Sequence, residues 1–457
     1  MNLIILNPCT EHILLMVMRV SPGSLDWLVG MRFYLTGEQG VGGVIKQRPE
    51  DFVVEEISEQ DLNSEGRYLI VELEKRDWEM HNLVREIAGI LRISRKRIDW
   101  AGTKDKRAVT RQRISIWDVD EDMIDRIRIP GVRLRVLGRS RRKIALGDLH
   151  GNRFEIVIRG ARNDGNLEGD LQRIQDTIRV HGGVINYFGY QRFGIQRPIN
   201  HTVGELIVRG KLEDAVRVIL TARFGTEDEA VERAREFIHE TWDLKEAINL
   251  MPQGLLIERS MIHALINRPG DYHGAFMSLP RRLYRIFVHA YQSYIFNLIV
   301  SARLEEGLGL NEAYEGDVVC FRGENGFPDV TRWQVVRSTE VDAINRLIKM
   351  GRAFVTAPIV GFETEIADGI QGEIEHRILE SLKITPQDFR VPHAEEFASK
   401  GLRREIKLPV DPSFEVLGDG DVKISFTLPK GGYATTVLRE FMKNEITPGK
   451  GFEPLRG

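Results

Sequence analysis

Cysteine is nearly absent: Cys9 and Cys320 are the two in 457 residues. A disulfide framework and a paired-cysteine zinc site are both excluded by that count, and a reducing, cytoplasmic setting fits. Long apolar runs are missing too. The most apolar end, "MNLIILNPCTEHILLMVMRV", has no basic residue before its apolar runs, and Asn7, Pro8 and Glu11 break them. Its longest run, Ile13 to Met18, is too short to span a bilayer, and no other segment approaches that length. Residues 1–35 are therefore expected to be an N-terminal extension, with Met18 or Met31 as alternative starts. No pair of histidines stands at metal-ligand spacing, no complete phosphate-binding P-loop occurs, and no GxGxxG follows a strand. A metal- or nucleotide-dependent enzyme therefore has no support in the sequence.

Strong charge of one sign is also lacking, with a net charge of -3. The whole chain is no polycation, so any nucleic-acid reading must rest on where the charge lies. That distribution is uneven. Between Arg92 and Arg113 nine basic residues face only Asp99 and Asp105. A second basic cluster covers 139–143, while "GTEDEAVERAREFIHE" at 225–240 is acidic. Hydrophobic content of 42% is enough to bury real cores, and the length predicts more than one domain.

Strand alternation appears at Phe52–Ile57 and 67–77, in "RISIW", in "VRLRVLGRSRR" and in "NRFEIVIRG". Between them, Leu83, Ile87, Ile90 and Leu91 share a helical face. "NLEGDLQRIQDTIRVHGG" is a helix with a glycine stop. Successive strands with short loops favour an antiparallel sheet in an α+β domain. From about 195 to 400 the spacing turns helical, most clearly where Phe287, Ala290, Tyr291, Tyr294, Leu298 and Ile299 form one stripe. After Lys400 strands return. A helix-rich insertion splitting one mixed domain accounts for this order.

Four stretches can carry chemistry. In "AGTKDKRAVTRQ", Asp105 lies among Lys104, Lys106, Arg107 and Arg111 on a backbone of small residues. Neighbouring cations favour an ionised carboxylate, which can act as nucleophile, electrostatic stabiliser or metal ligand. "NYFGYQRFG" interleaves Tyr187, Phe188, Tyr190 and Phe193 with Asn186, Gln191 and Arg192: rings for stacking a flipped base, polar groups for its edge. "LPKGGYATTVLRE" presents Tyr433 just before a helix. "KQRPEDF" places Lys46 as a partner for a carboxylate. Each has a bland alternative as a loop, turn or strand entry when taken alone.

Taken together and in this order, Lys46 with "PEDFVVEE", "AGTKDKRAVTRQ", "GNRF", "NYFGYQRFG", "AYQSYIFN", "GLRR" and "LPKGGYATTVLRE" resemble the TruD family of tRNA pseudouridine synthases, in an archaeal-like form, from about residue 40 to 445. The resemblance implies an α+β pseudouridine synthase catalytic domain with a mixed, mostly antiparallel sheet, plus an inserted helix-rich domain. The implied limits are 36–190 and 403–457 for the catalytic domain and 191–402 for the insert. It implies a tRNA substrate, isomerised at uridine 13 of the D arm, and no cofactor, because the reaction adds no group. Carried over by motif, Asp105 is the catalytic carboxylate and Lys46 its basic neighbour. Phe52, Asn186, Phe188 and Tyr433 line the uridine pocket, with Phe188 as the stacking ring. Tyr433 departs from the phenylalanine of many relatives but keeps the ring face. Lys104, Lys106, Arg107, Arg111 and Arg192 are expected at phosphates, and Arg281, Arg282 and Arg285 are candidates in the insert. No metal and no membrane partner is expected. The oligomeric state is open, with a monomer compatible. A catalytically silent tRNA-binding protein on the same scaffold is the alternative.

Overall fold

In "YLIVELEK" the even and odd positions differ, and the fold follows that parity. Leu69, Val71 and Leu73 are fully buried on one side of the Tyr68–Arg76 strand, while Glu72 and Glu74 lie on the other. The buried side packs against the Met80–Leu91 helix through Leu83, Val84, Ile87, Ala88 and Leu91. That helix starts because the Glu79 carboxylate accepts from the backbone N–H groups of His81 and Asn82, and it ends at Arg92 in the left-handed conformation. Each such side chain taken from water contributes about 1.5–3 kcal/mol. The opposite side is a ladder of charges: Arg111 pairs with Glu74 at 2.7 Å and Arg135 with Glu72 at 2.9 Å.

The structure, a computed structural model, describes residues 18–444 apart from 59–61, 63–64, 163 and 419. The first seventeen positions of the expected extension, and residues 445–457 of the expected second catalytic segment, lie outside the described residues. Contacts divide the chain into two units. One comprises 38–184 with 408–444, the other 18–37 with 185–407.

The first unit is built on an eight-stranded sheet. Its order is Ser413–Val416, Val422–Pro429, Gly151–Ile158, Phe52–Ile57, Val109–Trp117, Tyr68–Arg76 and Val132–Ser140, with Ile98–Trp100 added on Val109–Trp117. Phe52–Ile57 runs parallel to Val109–Trp117, and every other pair is antiparallel. The sheet is therefore mixed and mostly antiparallel. Strands 413–429 arrive more than 200 residues after their partner and are locked in by Arg159. Its guanidinium reaches Asp51 at 2.6 Å and Asp421 at 2.7 Å.

This order gathers the sequence motifs. Pro429 faces Gly151, Arg153 faces Glu55, and Glu55 faces Arg111. Four stretches far apart in the chain thus become adjacent strands.

The second unit is organised on a helix of 25 residues, Arg281–Glu305, which is about 37 Å long at 1.5 Å per residue. Gly204 of the Asn200–Val208 helix is needed for close approach: a Cβ there would stand 2.1 Å from the Phe287 carbonyl oxygen. Arg303, nearly inaccessible, is neutralised by Asp317 at 2.7 Å and also donates to Gln371 Oε1 at 2.8 Å. A four-stranded antiparallel sheet covers Pro328–Val335, Val318–Arg322, Ala353–Ile359 and Leu402–Glu405. Residues 19–34, expected in the extension, form a two-stranded ribbon around the short Ser24–Leu28 helix. They are tied to the long helix where Asn297 donates to Val29 O and Ser301 to Gly30 O. Among the described residues no helix is long and apolar enough to cross a membrane.

Candidate active site

Asp105 sits on the loop joining the Ile98–Trp100 and Val109–Trp117 strands. The small residues at each end of this loop, Ala101 and Ala108, are buried, so they let the backbone lie close to the sheet. The Lys46 ammonium donates to Asp105 Oδ1 at 2.5 Å. Lys46 reaches it from a left-handed backbone, φ 61°, and its side chain is 6% exposed against 38% for Asp105. Below the ammonium lies the Phe52 ring, with its centroid 4.0 Å away, held edge-on by Phe154. A cation over an aromatic face gains electrostatically where water is excluded. Phe52 is itself only 3% exposed, so its ring acts as the floor beneath Lys46.

A second lysine, unassigned in the sequence reading, comes from below. Lys75 is fully buried, and its ammonium donates to the Asp105 carbonyl at 2.7 Å and to the Trp78 carbonyl at 2.8 Å. Burial pulls its pKa down to about 8, against the opposing pull of Asp105 and Glu79. The Asp105 loop is thus pinned through its main chain by Lys75 and through its side chain by Lys46. Lys75 had a legible signal: it falls on the inward parity of Leu69, Val71 and Leu73.

The sequence neighbours of Asp105 take separate places. Lys104 turns to Glu56 at 2.7 Å, with the two side chains 7% and 1% exposed. It is a buried ion pair that closes the loop onto the Phe52–Ile57 strand. Arg107 donates to the Gln47 carbonyl at 2.6 Å, and Arg111 belongs to the charge ladder with Glu74. Lys106 is exposed. Tyr433, half-buried, is the N-cap residue of the Ala434–Met442 helix. It follows the turn at Gly431, φ 83°.

Asn186, Phe188 and Arg192 form a second cluster, in the helix-rich unit. Asn186 is buried. Its amide nitrogen donates to Glu405 O at 2.8 Å and Oε1 at 3.0 Å, and its oxygen accepts from Arg404 at 2.6 Å. Burial pushes the Glu405 carboxyl above its ordinary pKa, with Arg404 pulling the other way. Arg404 also lies over the Phe188 ring at 4.3 Å and Arg192 at 5.2 Å. Two guanidinium groups therefore attend the ring expected to stack a base. Phe188 is fixed by Asn297, which accepts from its N–H and donates to its carbonyl. Arg404 lies in the "GLRR" stretch and Glu405 directly follows it; no spacing rule pointed to their roles, because their partner is 218 and 219 residues away in sequence. No cluster of three or more metal-ligating side chains occurs among the described residues.

Comparison with known proteins adds the family. Residues 28–441 match the family model described as tRNA pseudouridine synthase D (TruD). A curated Methanosarcina barkeri protein described as "Probable tRNA pseudouridine synthase D" is 49% identical over 422 residues, 91% of this chain and 96% of that one. A Halobacterium salinarum protein of the same description is 40% identical over 434 residues, covering 92% and 97%. The crystal structure of a Methanosarcina mazei protein assigned to tRNA pseudouridine synthase D superposes with a TM-score of 0.83 at 47% identity, over 92% of this chain and 98% of that one. With a family match over residues 28–441, close relatives and a shared fold, the chain belongs to the tRNA pseudouridine synthase D family of isomerases.

Proposed function

We propose that the chain converts a uridine of tRNA, at position 13 in the D arm, to pseudouridine in the cytoplasm, with Asp105 as the acting carboxylate. The reaction breaks the N1–C1′ bond, turns the uracil and joins C5 to C1′. The C5 hydrogen leaves as a proton and N1 gains one, so composition is unchanged and no oxidant or group donor enters. The observation that carries the reading is the doubly anchored Asp105. Lys46 holds one carboxylate oxygen, Lys75 holds the backbone, and the side chain is still 38% exposed.

Pre-set geometry of this kind is what a reacting group needs, since a misplacement of about 1 Å can cost roughly 100-fold in rate. Asp105 serves either as nucleophile, at C1′ or at the base, or as a base toward a ribose proton. A target inside folded RNA must first leave its stack. Tyr433 then supplies a ring. Asn186, whose amide is held by Glu405 and Arg404, fixes those two side chains, and Arg404 and Arg192 cover the buried Phe188 ring. Lys106 and Arg192 are the cations we assign to phosphates, which position RNA without reading its sequence.

The experiment is nucleotide-resolution mapping of pseudouridine in an unmodified tRNA transcript after incubation with the protein. Conversion confined to position 13 supports the full reading. Conversion elsewhere overturns the site, and none overturns the activity.

A further inference from the structure

The helix-rich unit carries a pocket of about 510 Å³, partly open to solvent, a size at which small ligands are held. Three cations, Arg192, Arg285 and Lys400, and two rings, Phe188 and Phe362, contribute to its wall. Among the described residues lining it there is no aspartate or glutamate, in a chain with 67 acids against 64 bases. The cations act on a common interior: His289 on the same wall is held below its ordinary pKa by burial first, and then by Arg192 and Arg285. Two of the three have loose ties. Arg285 reaches Ala398 O at 3.4 Å. Lys400 pairs with Glu363 at 2.9 Å with both side chains well exposed, a type of pair worth little in water and readily exchanged for a phosphate.

We propose that this cavity seats a nucleotide of the RNA strand other than the isomerised uridine, with its phosphate on Arg285 and Lys400 and its base against Phe362. The inference rests on the RNA-isomerase reading and extends it. The reacting uridine must present C1′ to a carboxylate, and this wall has none, so the occupant is another nucleotide. A bare anion would gain nothing from Phe362, which at present carries the Arg390 guanidinium at 4.5 Å, and an apolar ligand would gain nothing from Arg285 and Lys400. A nucleotide satisfies both, since bases stack on aromatic faces without regard to their identity. The family resemblance did not single out Phe362 or Lys400.

The test uses the full chain, an unmodified tRNA transcript, and Arg285→Ala, Lys400→Ala, Phe362→Ala and Phe362→Leu. The leucine variant keeps the wall filled while removing the ring. Loss of base stacking is expected to weaken RNA binding roughly 5- to 150-fold in both Phe362 variants. Each cation removed should flatten the slope of log Kd against log salt by about 0.7–0.9. A single-stranded oligonucleotide carrying 2-aminopurine should be quenched by the native chain and not by Phe362→Leu. Kd within two-fold and unchanged salt slopes in all four variants, each unfolding at the native temperature, overturn the pocket while leaving the isomerase reading intact. Inorganic phosphate that abolishes the quench at the same concentration as a mononucleotide shows a phosphate-only site and overturns the base contact. Weakened RNA binding in the variants of a chain that makes no pseudouridine supports the pocket and overturns the activity.

Discussion

Replacing Lys75 by Met separates positioning from folding at the reacting carboxylate. The ammonium makes two buried hydrogen bonds, to the carbonyls of Asp105 and Trp78. Losing charged donors costs about 1.5–3 kcal/mol each, so roughly 3–6 kcal/mol in all. Against this, the native chain pays to hold a charge out of water. Its pKa falls from 10.5 to about 8, and at roughly 1.4 kcal/mol per unit that is about 3 kcal/mol at neutral pH. The variant escapes that cost. Its net destabilisation at pH 7 should therefore be about 0–3 kcal/mol.

The sign of the pH dependence follows from the same pair of values. Between pH 8 and 10.5 the unfolded chain binds more protons at this lysine than the folded chain does. The burial cost is fully present below pH 8 and is relieved as pH rises through that window. The stability gap between native and Lys75→Met should accordingly widen by up to about 3 kcal/mol from pH 7 to 10. Asp77, Glu79, Asp105 and Lys104 are the charged groups facing Lys75 and are common to both proteins. Denaturant unfolding at fixed pH steps reads the gap, and single-turnover conversion reads the catalytic effect. With the Asp105 backbone released, the rate should fall on the order of 100-fold. A gap that stays flat across pH 7–10, or a rate within two-fold of native, would refute the reasoning.

Other expectations follow from single contacts. Lys104→Met should destabilise by about 3–5 kcal/mol, because it leaves Glu56 charged and buried without its partner; unfolding in urea measures it. Lys106→Ala should leave unfolding unchanged while flattening the salt dependence of RNA binding by about 0.7–0.9 in log–log slope. Gly204→Ala should cost at least about 1–3 kcal/mol, since the added methyl meets the Phe287 carbonyl and one helix must back away; a thermal scan reads it. Lys46→Met should lower the rate of conversion with RNA affinity much less affected, as filter binding and single-turnover assays together would show.

What could be read in the chain beforehand was local. The strand at Phe52–Ile57 and the helix at Met80–Leu91 follow from periods of two and 3.6 in apolar positions. The helical spacing from about 195 onward does not show where its first helix stops. It breaks between Val208 and Leu212, where Gly210 takes φ 73°. The Val109–Trp117 strand begins inside the basic stretch, where Arg111 turns outward onto Glu74 rather than marking a loop.

The candidate site divides in the same way. Asp105 and Lys46 were suggested by residue type and by family motif. The burial of Lys104 against Glu56, the tether from Lys75 and the pairing of Asn186 with Glu405 and Arg404 were not. Each joins residues 30 to 219 positions apart, and only the pairing of Phe52–Ile57 with Val109–Trp117 brings the Lys104 loop beside Glu56. Charge density in a sequence shows where cations are, and the fold decides which of them are already neutralised.

The central claim is tested most directly by tritium release from a tRNA transcript labelled at C5 of its uridines, since joining C5 to C1′ must expel that hydrogen. The native chain should release one equivalent per converted site, while Asp105→Asn should release none yet bind the same transcript within a few-fold of native affinity. Equal release by both proteins would contradict the account.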